Sequence, residues 1–201
     1  MRILVWGAAG AVGSRVAREA VARGHQVTTV GRSSGPLRGD ASDPDDVARL
    51  SAGHDVVISA TRPRAGQEGE LVAAAKGLLI GLRDSGVRLI LVGGAASLTV
   101  PGTEVKLVDS PDFPTELRPI ALACNEQYDV VRAAGGLDWT YVSPPALLEP
   151  GERTGSYRKG YDHLVTDAVG SSAISMEDFA IAIVDEAERA EHVRQRFTVG
   201  Y

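Results

Sequence analysis

Apolar positions recur along this chain in two alternating rhythms. Ile3-Leu4-Val5-Trp6 is a short unbroken apolar run, the pattern of a central strand covered on both faces. Val12, Val16, Ala17, Ala20 and Val21 then share one face at helical spacing, which predicts a helix over residues 12–23, ended by Gly24. Residues 26–30 read as a second strand, completing a β-α-β unit. The alternation continues with a short strand at 37–40 and a helix opened by Asp43-Pro44. A strand at 56–60, a long helix at 71–85 and a strand at 88–92 follow. A proline-interrupted loop over 98–117 leads to a helix from residue 119 or 120 to 134, then a strand at 139–142. Beyond Pro144-Pro145 the rhythm loosens. Residues 151–172, rich in Gly, Tyr and charge, predict a hairpin or loops. Ser175-Met176-Glu177-Asp178 resembles a capping box and starts a helix through Glu188, and a last strand covers 196–199. Repeated strand–helix alternation implies an α/β fold, a doubly wound parallel sheet with helices on both faces. One domain over 1–201 is expected, with residues 145–175 forming a small C-terminal lobe inserted on the substrate side.

Composition narrows the picture little. The chain has 201 residues, 44% of them hydrophobic and 23% charged, as in ordinary globular domains. A net charge of −5 without a basic tract argues against a nucleic-acid partner. The one cysteine, Cys124, lies in the apolar run from Ile120 and is expected to be buried. No His, Cys, Asp or Glu spacing suggests a metal. No apolar run reaches the roughly 18 residues of a membrane span, and the first strand meets glycine too early for a signal peptide, so a cytoplasmic location is expected. A small-molecule partner is expected, with the chain a monomer or a homodimer.

The informative motif is Gly7-Ala8-Ala9-Gly10-Ala11-Val12-Gly13, between the first strand and the first helix. Free N–H groups at a helix start carry partial positive charge and can hold a pyrophosphate if no side chain blocks its approach. Gly7 and Gly10 allow the tight turn and close approach, and Gly13 lets the helix pack on the sheet. Ala9, Ala11 and Val12 add nothing bulky. The strand–turn–helix context makes a dinucleotide the expected ligand and the fold Rossmann-like. NAD-preferring sites of this design place an acid about 20 residues further on, for the ribose 2′-hydroxyl. Here the second strand runs into Val30-Gly31-Arg32-Ser33-Ser34, and no carboxylate stands between Glu19 and Asp40. Arg32, with Arg38 as a second candidate cation, suits the 2′-phosphate of NADP(H), with NAD(H) the second choice.

The glycine spacing resembles that of the extended and atypical short-chain dehydrogenases, and later stretches sharpen the likeness. These are Gly39-Asp40 with Asp43, residues 55–60, Gly93-Gly94-Ala95-Ala96-Ser97-Leu98, residues 137–144 and residues 151–157. Across nearly its whole length the chain resembles the NAD(P)H-binding, NmrA-like group. Within it the chain is most similar to the NADH-flavin reductases and more distantly similar to biliverdin-IXβ/flavin reductase. The resemblance implies that Asp40 and Ala41 border the adenine, and that Ser59, Ala60 and Thr61 line the ribose and pyrophosphate. It further implies that Gly93 and Gly94 approach the nicotinamide and that Pro144, Pro145 and Ala146 close over it.

One departure bears on chemistry. Most reductases of the superfamily carry a Tyr-x-x-x-Lys pair, and here the corresponding positions are Arg118 and Leu122. Tyr128 has a similar spacing to Arg132 but lies too far along its helix. Hydride transfer to a flavin needs mainly positioning. The leading expectation is therefore an NADPH-dependent reductase of a flavin, quinone or similar planar acceptor, with flavin as substrate and not as a resident group. The alternatives are a non-catalytic NADP(H)-sensing regulator of the NmrA type, and a specialised small-molecule reductase or isomerase. Ser97, Tyr157 and His163 are the candidate catalytic residues. Their plainer readings are a turn hydroxyl, a packing residue and a surface histidine.

Overall fold

The computed structural model describes residues 1–32 and 37–201. Ser33 and Ser34, read above as the loop after the second strand, lie outside the described residues. The central sheet is built from β1 (Arg2–Trp6), β2 (Gln26–Gly31), β3 (Leu37–Arg38), β4 (Val56–Ser59), β5 (Arg88–Val92) and β6 (Trp139–Ser143). Three short strands follow, β7 (Leu147–Glu149), β8 (Arg158–Gly160) and β9 (Ala173–Ser175), and then β10 (Gln195–Gly200). The sheet order is β3-β2-β1-β4-β5-β6-β10-β8, parallel throughout except for the antiparallel edge strand β8. The helices are α1 (Ala11–Ala22), α2 (Pro44–Ser51), α3 (Glu70–Gly81), α4 (Arg118–Arg132) and α5 (Met176–Arg189). This is the Rossmann-like architecture that the alternating pattern predicts.

The period-2 alternation of each strand divides the core between two faces. Leu4, Trp6, Val57, Leu89, Leu91, Trp139 and Tyr141 pack with Ala75, Leu78 and Val131 of α3 and α4. Ile3, Val5, Ile58, Ile90, Val142, Phe197 and Val199 pack on the other face with Val16, Phe179 and Ile183 of α1 and α5. Among the described residues, no helix is long and apolar enough to cross a membrane.

Three predicted elements differ from the structure. β3 stops at Arg38, because Asp40 turns the chain by accepting bonds from the Ser42 N–H at 2.9 Å and the Ser42 hydroxyl at 2.7 Å. α3 ends at Gly81, and Asp84 takes a left-handed turn at φ +58° short of β5. The 151–172 stretch is mostly loop, one of the two readings its composition allows, and forms no local hairpin. β8 instead pairs with β10, while β7 pairs in parallel with β9 across the sequence between them. Ser175 caps α5 as expected, its hydroxyl accepting from the Asp178 N–H at 3.0 Å.

Candidate functional site

Three strand ends meet around one cleft of about 380 Å³. The turns leaving β1, β2 and β4 line it, together with the start of α3. β2 and β4 flank β1 on opposite sides, so the cleft lies where the strand order reverses, the usual ligand position in an open parallel sheet.

The glycine turn separates into two roles. Gly7 has φ +78°, and a Cβ there would stand 2.5 Å from the Ala60 carbonyl oxygen. A Cβ on Gly13 would drive into the Gly7 carbonyl. Close approach of the turn after β4 therefore accounts for Gly7, and packing of α1 against the glycine turn accounts for Gly13. Gly10 lines the cleft, yet an added Cβ would meet only the Gly7 carbonyl, at 3.3 Å. Packing constrains Gly10 far less than Gly7 or Gly13, and its place on the cleft leaves room for close approach by a ligand. Gly10 is also the N-cap of α1, with no side-chain cap bond and no acid in the first helical turn among the described residues. The positive end of α1 and its N–H donors are thus left for an anion, as a pyrophosphate requires.

The other half of the cleft is lined by an aromatic ring and residues of two segments. Buried Trp6 reaches beneath Gly39, and Asp40, Ala41 and Ser42 form one wall. Leu71, Ala73 and Ala74 of α3 form the facing wall. Arg32, Arg62 and Arg64 bring three guanidinium groups to the cleft, and Glu70 answers two of them. Arg64 donates to Glu70 through Nη2 at 2.6 Å and Nε at 3.1 Å, and Arg32 donates through Nη1 at 2.9 Å. The Arg64 and Arg32 bonds hold the Glu70 carboxyl down at about 2, well below the ordinary glutamate value.

Of the residues singled out from the sequence, Gly7, Ala9, Gly10, Arg32, Asp40, Ala41, Ala60 and Thr61 line this cleft. Ala11, Val12 and Gly13 form the first turn of α1 beside it, and Ser59 is buried beneath, its hydroxyl 3.3 Å from that of Thr61. Arg38 does not line the cleft and is exposed on the edge strand β3. Gly93, Gly94, Pro144, Pro145 and Ala146 also lie outside it. Gly93 and Gly94 have a packing reason to be glycine, since a Cβ would run into the Tyr141 ring at the first and stand 2.8 Å from the Cys124 Cβ at the second. Cys124 itself is half-buried, and burial pushes its thiol up to about 11 although nearby Arg62 pulls the other way.

The three catalytic candidates do not converge. Tyr157 donates to Asp185 at 2.6 Å, toward the C-terminal half of α5, and this placement gives it a packing role away from the cleft. Ser97 accepts from Arg196 at 2.7 Å, and Arg196 also pairs with Asp162 and lies over the Tyr128 ring at 4.4 Å. Exposed His163 bridges to Thr99, so Ser97 and His163 are neighbours through the backbone, yet neither lines the cleft. Sequence reasoning missed Trp6, Arg62, Arg64 and Glu70. Arg62-Pro63-Arg64, two cations just past the end of β4, was a usable signal. Glu70 gave none, because it reaches the site from the next helix.

The fold and the cleft together define a Rossmann-like protein whose site fits a nicotinamide dinucleotide. The chain belongs to a family of NAD(P)H-binding proteins, which it matches over residues 7–190. It is 39% identical over 208 residues to the uncharacterized protein YwnB of Bacillus subtilis (strain 168), covering 99% of this chain and 98% of YwnB. Among solved structures, it is similar to a putative exported protein from Burkholderia pseudomallei, at 44% identity and TM-score 0.91 over the whole of both chains. It is also similar to SP1627, a putative NADH-flavin reductase from Streptococcus pneumoniae TIGR4. There the identity is 33% and the TM-score 0.90, over 100% of this chain and 99% of that one.

Proposed function

We propose that the protein is an NADPH-dependent reductase that passes a hydride to a flavin, quinone or similar planar acceptor. The observation that carries this reading is the cation-rich cleft beside the uncapped start of α1. When bound, the nicotinamide supplies the hydride. The chain's own residues supply position: the α1 N–H groups hold the pyrophosphate, and the wall from Asp40 to Ser42 holds the adenosine. Arg32 meets the 2′-phosphate with charge-assisted bonds. The similarity to SP1627 supports a flavin as acceptor.

The proposed route uses no tyrosine–lysine pair. Arg118 donates to the Val108 carbonyl at 2.8 Å, and Leu122 is an exposed apolar side chain on α4. Tyr141 is buried and held well above the ordinary tyrosine range, chiefly by that burial. Proton delivery to a reduced flavin from water suffices, because the acceptor ring itself stabilises the added electron pair.

The test combines binding with turnover. Calorimetry should show NADPH binding more tightly than NADH, and Arg32→Ala should lose about tenfold in NADPH affinity with little change for NADH. NADPH oxidation should be followed with FMN, riboflavin and quinones. Equal affinities in the parent protein would remove the NADPH preference. Tight NADPH binding without turnover on any acceptor would replace the reductase with a cofactor-sensing regulator.

A further inference from the structure

Glu70 sits among the cations of the cleft. It lines the cleft, and its carboxylate takes up both Arg32 and Arg64, two of the three guanidinium groups there. Four donors converge on it: Arg64 Nη2 at 2.6 Å, Arg64 Nε at 3.1 Å, the Arg64 backbone N–H at 3.3 Å, and Arg32 Nη1 at 2.9 Å. Glu70 is also the first residue of α3, a helix of 12 residues whose N-cap Gly69 offers no side-chain cap. The positive helix end favours a carboxylate at that position. The arrangement is that of an anion held between paired cations, supplied by the protein itself.

From this geometry we propose that Glu70 is a specificity-determining residue, an internal carboxylate that competes with the cofactor's 2′-phosphate for Arg32 and Arg64. The inference rests on the dinucleotide reading of the cleft and deepens it. A 2′-phosphate can engage the guanidinium groups only by drawing them from Glu70, and it must then sit beside that negative charge. A ribose without the phosphate leaves the Arg–Glu–Arg arrangement intact. The carboxylate therefore lowers affinity for the phosphorylated cofactor more than for the plain one, and keeps the preference set by Arg32 moderate. Removing its charge while keeping its shape should release both arginines to the phosphate.

The experiment uses the two nucleotide fragments that differ only in this group, 2′,5′-ADP and 5′-ADP, titrated calorimetrically into the full chain and into Glu70→Gln. Circular dichroism confirms that the variant is folded, and Glu70 stands at the surface end of α3, where a neutral isostere is accommodated. In Glu70→Gln, 2′,5′-ADP should bind about tenfold more tightly while 5′-ADP changes by less than about twofold. Arg64→Ala should act oppositely, weakening 2′,5′-ADP and sparing 5′-ADP. If 2′,5′-ADP binds Glu70→Gln no better than the parent, or if both nucleotides change alike, the competition does not exist. Weaker binding of 5′-ADP alone would make Glu70 a ribose ligand and overturn the proposal. Failure of both nucleotides to bind the parent and the variant would remove the dinucleotide site, and with it both readings.

Discussion

Tyr157 gives its hydroxyl to Asp185, a carboxylate that also receives Arg23 at 2.6 Å. Burial, followed by that carboxylate, raises the phenol well above the ordinary tyrosine range, so it stays protonated and keeps donating. The side chain ties the segment before β8 to α5. A hydrogen bond to a charged group contributes about 1.5–3 kcal/mol. Tyr157→Phe should therefore lower unfolding stability by about that amount in a urea titration, with acceptor turnover unchanged. Loss of turnover at unchanged stability would return Tyr157 to the site. The sequence placed this tyrosine in a segment suited to substrates, but its hydroxyl partner lies 28 positions away on another element. The same limit hid Glu70, whose bond to Arg32 spans 38 positions.

At the scale of elements, the start of α1 carries the fold and the proposed pyrophosphate site, and the two can be separated. The backbone of Gly10 is extended, at φ −77° and ψ 169°, which any residue adopts, and an added Cβ would make one tight contact, 3.3 Å from the Gly7 carbonyl oxygen, that a shift of a few tenths of an ångström relieves. Gly13 has no such room, since a Cβ would strike the backbone of Gly7 and Ala8. Gly10→Val should stay folded and lose NADPH binding by more than about a hundredfold, because its methyls fill the approach to the helix N–H groups. Gly13→Val should lose stability first, by about 3 kcal/mol or more, from overpacking. Thermal melts read beside calorimetry separate these outcomes. A Gly10→Val protein that binds normally would contradict the pyrophosphate assignment. The long elements were legible because a buried strand or an amphipathic helix repeats its pattern several times. β7, β8 and β9 have three residues each, too few to show a period, and their partners lie far along the chain.

Across the whole molecule, Asp178 joins segments that the chain order keeps apart. This fully buried carboxylate accepts from the Thr154 hydroxyl at 2.5 Å, the Gly155 N–H at 2.9 Å and the Tyr201 hydroxyl at 2.7 Å. Burial alone would raise its pKa. The bonds from Thr154, Gly155 and Tyr201 outweigh burial and leave it below 3.8. A folded-state pKa depressed in this way stabilises the protein above the unfolded value, and that stability is lost as pH falls through the folded one. The gap in melting temperature between the parent and Asp178→Asn should accordingly be full at pH 7 and narrow below about pH 4. A gap that stays constant down to pH 2.5 would show that the charge on Asp178 plays no part.

Residues 1–31 needed no tertiary information to declare a dinucleotide turn. The unbroken apolar strand, the glycines three apart and the amphipathic helix are near neighbours in sequence, and backbone sterics and helix-end charge act at that range. Arg32 was legible for the same reason, standing just past the end of its strand. Tertiary structure alone decided what else lines the cleft. It brought Arg64 and Glu70 to Arg32, sent Arg38 to the exposed edge, and set Gly93 against the Tyr141 ring. Such contacts arise when separate strand–helix units stack side by side, and the residues that meet there have no fixed spacing along the chain.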